Sequence, residues 1–215
     1  VYDKSFGSFT YDKNAHKVQS DDLYDLASLS KTTGTLLAVM KLYDKGKFNL
    51  TDKISTYLPY LKGTDKENIT INELLFHQSG LPSTIFFYKE AIDKDSYAGA
   101  FLKSKKDNLH TIQVGKNLYA SSSYNFKEGL VSSKPSDVYD INVADDFWLN
   151  RSFRQEEERM LAEAPLKDKV YRYSCVNFIL LKEMVERISG EAMDKLLYRE
   201  YFRPMKLERL TYLPL

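Results

Sequence analysis

One cysteine, three histidines, nine glycines and six prolines are all that 215 residues hold of the side chains that build metal centres, disulfide frameworks and glycine-rich loops. The single Cys175 excludes an internal disulfide and argues against a thiolate zinc site, and it leaves the redox compartment open. His16, His77 and His110 lie far apart, with no His or carboxylate at metal-ligand spacing. His16 and His110 read as surface residues, and His77 as a helix-end residue that holds the following turn. Lysine and arginine number 31 against 30 aspartates and glutamates, so no surplus of charge marks a nucleic-acid or membrane-surface partner. No apolar run reaches the roughly 20 residues that span a bilayer. No Gly-x-Ser-x-Gly elbow, phosphate-binding loop, low-complexity tract or internal repeat is apparent. No cofactor and no metal is expected.

What is present is a chain 43% apolar, long enough for one sizeable core. Residues 1–25 open without an initiating Met, which points to a trimmed upstream segment. Val1, Tyr2, Phe6, Phe9 and Tyr11 around Gly7 read as strand at one edge of a sheet. Residues 28–46 form a central helix stopped at Lys45-Gly46-Lys47. Leu36, Val39, Met40 and Tyr43 fall at helical spacing and Leu37, Ala38 and Leu42 make the other side apolar, so this helix reads as buried. Residues 47–170 read as helices and loops: Thr70-Ile-Asn-Glu73 is a capping box, broken at Ser79-Gly80-Leu81-Pro82, and 83–169 is irregular. Phe147, Trp148 and Leu149 followed by Arg151 to Leu161 read as helical, with Glu156 to Glu158 as a solvated face. In 171–203, Phe178, Leu181, Val185 and Ile188 form one helical stripe ending at Gly190; Met193, Leu196, Leu197 and Tyr201 form a second before Pro204.

The chemistry-bearing pattern is Ser28-Leu-Ser-Lys31, the only Ser-x-x-Lys in the chain, at the start of the central helix. Three residues apart on a helix, the hydroxyl and the amine share a face, and free backbone N–H groups aim at the serine. A plainer account makes Ser28 or Ser30 a helix cap and Lys31 a solvated first-turn charge. Tyr173 stands just before the helix that starts near Val176, so its phenol projects from a helix entrance.

Taken together, Leu26-Ala-Ser-Leu-Ser-Lys31-Thr, Lys45-Gly-Lys-Phe-Asn-Leu-Thr-Asp-Lys-Ile54, Ile71-Asn-Glu-Leu-Leu-Phe-His-Gln-Ser-Gly-Leu-Pro82 and Tyr173-Ser-Cys-Val-Asn-Phe-Ile-Leu-Leu181 resemble the serine β-lactamase-related family. That family takes in class C β-lactamases, low-molecular-weight penicillin-binding proteins and β-lactamase-like esterases. The resemblance implies an α+β, β-lactamase/transpeptidase-like fold in a single incomplete domain, 1–215: the helical region plus the N-terminal edge of an antiparallel sheet, with the C-terminal strands absent. It implies that Ser28 is the acyl-accepting nucleophile, Lys31 its base or proton relay, and Tyr173 the phenol that shuttles a proton to the leaving group; as a base Lys31 needs a lowered pKa, which burial beside the apolar helix and a neighbouring phenol would supply. His77 to Pro82 would support the site. The substrate would be a small-molecule or peptide-like amide or ester, and the location periplasmic or in the cell envelope. Two departures stand out: Cys175 occupies the third position of the family's Tyr-x-Asn, and the Lys-or-His-x-Gly strand that completes the oxyanion hole, expected beyond the helices ending near Tyr201, does not follow them before Leu215. These 215 residues alone are therefore expected to be inactive, with another chain or further sequence covering the incomplete sheet. The competing reading is a non-catalytic accessory domain, attached to an upstream glycoside hydrolase in a bacterial envelope protein.

Overall fold

The computed structural model describes residue 2 and residues 4–212. Its organising helix is assembled from three kinds of turn: a 3-10 turn at Ala27–Leu29, a π-helical stretch at Lys31–Leu36, and α1, Leu37–Asp44. Ala38, Val39 and Leu42 are buried, but Met40 and Tyr43 are about half exposed, at 54% and 50%. The expectation of a helix buried all round is thus corrected. α1 packs one face on the later helices and leaves the other to solvent. Gly46 ends it in the left-handed region (φ 63°), which lets the Lys47 N–H reach back to the Leu42 carbonyl at 3.0 Å.

Two 3-10 turns, Ile54–Thr56 and Pro59–Leu61, lead to α2, Ile71–Leu75. The capping box forms: the Glu73 N–H donates to Thr70 Oγ1 at 3.3 Å, and the Thr70 N–H to the Glu73 carboxylate at 2.9 Å. After the short α3, Tyr88–Ala91, come six strands that the sequence reading took for loops and short helices. β1 (Leu102–Lys103), β2 (Ile112–Gly115) and β3 (Leu118–Ala120) form an antiparallel sheet in the order β1-β3-β2. β4 (Val131–Ser132), β5 (Ile141–Ala144) and β6 (Phe147–Leu149) form a second in the order β4-β6-β5. Phe147 to Leu149 are therefore strand rather than helix: their ladder partners are Val131, Ser132, Ile141, Asn142 and Ala144.

The two sheets are copies of one unit. Each strand starts 29 residues after its counterpart, 102 to 131, 112 to 141 and 118 to 147. The hydrogen bonds repeat at the same offset. Ser122 N–H donates to Leu109 O at 2.8 Å, and Arg151 N–H to Val138 O at 2.8 Å. His110 Nε2 meets Ala100 O at 2.7 Å; the Tyr139 hydroxyl donates to Gly129 O at 3.0 Å. Asp107 Oδ1 accepts the N–H groups of Leu109 and His110, as Ser136 Oγ accepts those of Val138 and Tyr139. The strand irregularities at 113–115 and 142–144 correspond, and so do the left-handed turn residues Asn117 and Asp146. An internal repeat, not apparent in the sequence, is thus present. His110, expected on the surface, is fully buried, because both ring nitrogens are bound, one by Asp107 Oδ1 at 2.8 Å and one by Ala100 O.

α4 (Phe153–Glu163), α5 (Cys175–Ser189) and α6 (Met193–Leu197) complete the chain, and α6 runs on as a π-helical turn through Phe202. Gly190 closes α5 in the left-handed region, where the sequence placed the stop. Leu42, Leu74, Leu161, Leu181, Met184 and Leu197 meet in one core; each fully buried side chain of this kind contributes about 1.5–3 kcal/mol. The Glu156 to Glu158 run is not one solvated face: Glu158 pairs with Arg187 of α5 at 2.8 Å, and burial pushes the half-buried Glu157 carboxyl up. The expected N-terminal sheet edge is also corrected. Residue 2 and residues 4–25 hold no strand, and Ser8 with Lys17 is their only bridge. Phe6 and Phe9 stay exposed, because a strand forms only where a neighbour takes its ladder of hydrogen bonds. Val1 and Asp3 lie outside the described residues. Among the described residues no helix is long and apolar enough to cross a membrane.

Candidate active site

Ser28 sits in the 3-10 turn that opens the organising helix, and Ala27 before it adopts φ 43°. That region is costly for a residue with a Cβ, so backbone strain is stored next to the serine. One turn on, Lys31 Nζ donates to Ser28 Oγ at 3.4 Å. From the far end of the chain, the Tyr173 hydroxyl donates to the same oxygen at 2.9 Å. The Lys31 ammonium also stands 5.3 Å from the centroid of the Tyr173 ring. Ser28, Lys31 and Tyr173, 145 positions apart at their extremes, are therefore brought together at one exposed spot.

Tyr173 is held there by a clamp between residues 77–83 and 167–175. Lys167 N–H donates to Gly80 O at 3.0 Å, Arg172 N–H to His77 O at 2.8 Å and Cys175 N–H to Ser83 O at 2.9 Å. Ser174 caps α5 by accepting from the Asn177 N–H, and its own hydroxyl donates to Pro82 O at 2.7 Å. Gly80 is required for this approach: it lies at φ 83°, and a Cβ there would stand 2.1 Å from the Lys167 carbonyl oxygen. His77, itself left-handed at φ 55°, packs its ring 4.8 Å from that of Tyr173. Its Nδ1 accepts from Ser174 N–H at 3.2 Å and meets Asn177 Nδ2 at 3.3 Å.

Asn177, two residues beyond Cys175, does not face the serine. It is fully buried, accepts from Ser79 Oγ at 2.7 Å and donates to Leu74 O at 3.0 Å, so it bolts α5 to α2 and to the segment after it. The sequence reading missed this role; a polar residue in the apolar stripe of α5 was the available signal. Cys175 at the α5 N-terminus is partly exposed, with its thiol beside Lys31.

Electrostatics depart from the expectation of a lowered lysine. Partial burial acts to lower the Lys31 pKa, but Tyr173 and Cys175 beside the ammonium outweigh it, and the balance is raised. Lys31 is a cation here, and Ser28 Oγ accepts from two donors. His77 moves the other way: burial, reinforced by the Lys31 charge, lowers its pKa and keeps the ring neutral, as its accepting Nδ1 requires. Among the described residues no three His, Cys, Asp or Glu side chains converge on a metal-sized site.

A family model described as Beta-lactamase matches residues 1–214. The N-acetylmuramyl-L-alanine amidase of Bacillus subtilis is 24% identical over 225 residues, covering 100% of this chain and 38% of its own length. A Protein flp of Staphylococcus aureus is 37% identical over 150 residues, 68% of this chain and 30% of its own. The chain thus spans about two fifths or less of the curated relatives it matches. A D-stereospecific amidohydrolase from Streptomyces shares the fold, with TM-score 0.51 and 21% identity over 90% of this chain and 45% of that one. Helices with two small antiparallel sheets, a fold shared with that hydrolase and a family match over nearly every residue converge, and the chain belongs to the beta-lactamase family.

Proposed function

We propose that the whole protein is a serine hydrolase that works through an ester on Ser28 and cleaves an amide or ester substrate. The observation that carries this is the pair of donors on one serine oxygen, Tyr173 at 2.9 Å and Lys31 at 3.4 Å. The names of the amidase and amidohydrolase relatives are in keeping with it. Substrate entry buries Lys31 further, and burial is the influence that lowers its pKa. Once Lys31 has released a proton to solvent, its neutral amine takes the Ser28 proton through Tyr173 while Oγ bonds to the substrate carbonyl carbon. When the tetrahedral adduct collapses, the carbon–leaving-group bond breaks. Tyr173 then gives a proton to the leaving group and is reprotonated by Lys31. Water repeats the sequence on the ester and frees Ser28.

A fluorophosphonate probe applied to the whole protein tests this: labelling should map to Ser28 and vanish in Ser28→Ala. Lys31→Arg keeps the charge but cannot become a neutral base near working pH, and should slow labelling about a hundredfold or more. A whole protein that binds substrate-like amides yet never labels at Ser28 would return the non-catalytic accessory domain.

A further inference from the structure

The duplicated unit carries no part of the chemistry above, yet its two copies differ in one systematic way. Both present an outer strand, β2 or β5, whose far edge has no strand partner among the described residues. Both expose apolar side chains at matching places: Leu109 and Val138 at 51% and 49%, Val114 and Val143 at 53% and 43%. Charge is where they part. Residues 102–122 hold four lysines against one aspartate, and residues 131–151 hold four aspartates against Lys134 and Arg151. One equivalent position reverses sign, Lys116 in the first turn to Asp145 in the second; Asn108 and Asn117 become Asp137 and Asp146, and Lys105 stays basic as Lys134. Among the described residues, Lys106, Lys116, Asp137, Asp145 and Asp146 are exposed and engage in no ion pair, and no ion pair joins the two units.

An unpaired strand edge with apolar side chains is a template for strand addition. Here each edge has its complement already written in the same chain: the same backbone frame and strand length, with the opposite charge. We infer that the basic unit of one copy docks edge to edge on the acidic unit of a second copy, through β2 and β5, and that the reciprocal contact closes a two-fold dimer. A reciprocal pair uses each unit once, leaves neither edge open, and sets lysines against aspartates at both contacts. Ile112 and Val114 on one strand and Ile141 and Val143 on the other supply matched apolar side chains, with Val114 and Val143 at the irregularity of each strand.

The test is the association state of the whole protein by analytical ultracentrifugation, in low salt and in high. Two charge reversals at exposed positions, Lys106→Glu with Lys116→Glu, and Asp137→Lys with Asp145→Lys, leave the strands themselves intact. The parent should dimerise, more tightly in low salt. Either reversal should weaken self-association at least about tenfold, since it sets like charges against each other. Mixing the two reversed proteins should restore a dimer, because one then offers two acidic edges and the other two basic ones; this also shows that both variants are folded. A parent that stays monomeric at low salt overturns the inference. So does a dimer that neither reversal weakens, a mixture that fails to re-form, or a basic or acidic protein of another kind as the only occupant.

Discussion

At the residue scale, His77 shows how a side chain can act on Tyr173 without touching Ser28. Its Nδ1 is an acceptor for the Ser174 N–H, which a protonated ring cannot be. Burial and Lys31 hold its pKa below the usual imidazole range, about 6.5. A group depressed in the folded state contributes stability that is complete above its unfolded pKa. That contribution is lost as pH falls from there through the folded value. Thermal melts from pH 7.5 to 5 should therefore show a falling midpoint for the parent, and a smaller slope for His77→Ala at a lower plateau. Equal slopes would remove His77 from the acid response. Cys175 is the second residue to test. Cys175→Asn in the whole protein should raise turnover of amides more than of simple esters, since a carboxamide can hydrogen-bond an amide substrate where a thiol does so weakly. Equal gains on both substrates would mean that this position does not select between them. That Ser28 and Lys31 share a face was legible from their spacing, whereas Tyr173, one of sixteen tyrosines, joined them only through the family resemblance. The lysine's protonation was not legible, because it depends on a tyrosine and a cysteine over 140 residues away.

The element that fixes the site is the clamp rather than the helix beneath it. Gly80→Ala would force a methyl group onto the Lys167 carbonyl and hold alanine at φ 83°, and should cost about 2 kcal/mol or more. Because the strain falls on the segment that carries Tyr173, labelling of Ser28 should slow in step; denaturant melts and probe kinetics on the same variant check both. Asn177→Ala removes the acceptor of the buried Ser79 hydroxyl, at about 1–3 kcal/mol, while Leu74 O keeps the His77 N–H at 3.2 Å. The capping box at Thr70, the stop at Gly46 and the stop at Gly190 were all legible, since each is a local rule read over four or five residues. The strands of 102–149 were not. Between the copies, residues 102–123 share only Ser104, Lys105, Ile112, Val114 and Ser123 with their counterparts. What recurs is a hydrogen-bond frame in which histidine and tyrosine, or aspartate and serine, do equivalent work. The N-terminal segment failed in the opposite sense: Phe6, Phe9 and Tyr11 have strand-like composition, but pairing is a property of two segments and composition describes one.

Across the whole molecule, the first and last parts of the chain are tied where α1 meets the end of α6. Glu200 accepts from Lys45 at 2.8 Å and from Lys41 at 3.2 Å. Lys45, with Lys41 and Arg199 behind it, holds the Glu200 carboxyl down at about 2 against the pull of burial. A depressed carboxyl contributes stability that is present above its unfolded pKa, near 4.3, and is lost as pH falls toward 2. Glu200→Gln should lower stability at pH 7 by about 1 kcal/mol, as expected for a partly screened pair, and should flatten the acid loss between pH 4.5 and 2. An unchanged acid limb in urea melts would place the tie elsewhere.

The 29-residue offset also bears on how this stretch of chain can change over generations. Because both copies start and finish at matching points of the same hydrogen-bond frame, recombination between their coding segments adds or removes whole codons and whole units, never part of a strand. The region between α3 and α4 is accordingly a place where gene length can vary in discrete steps while the Ser28 neighbourhood is inherited unaltered. Related genes that differ here should differ by one unit at a time, and a gene with a single copy would encode only one sign of edge.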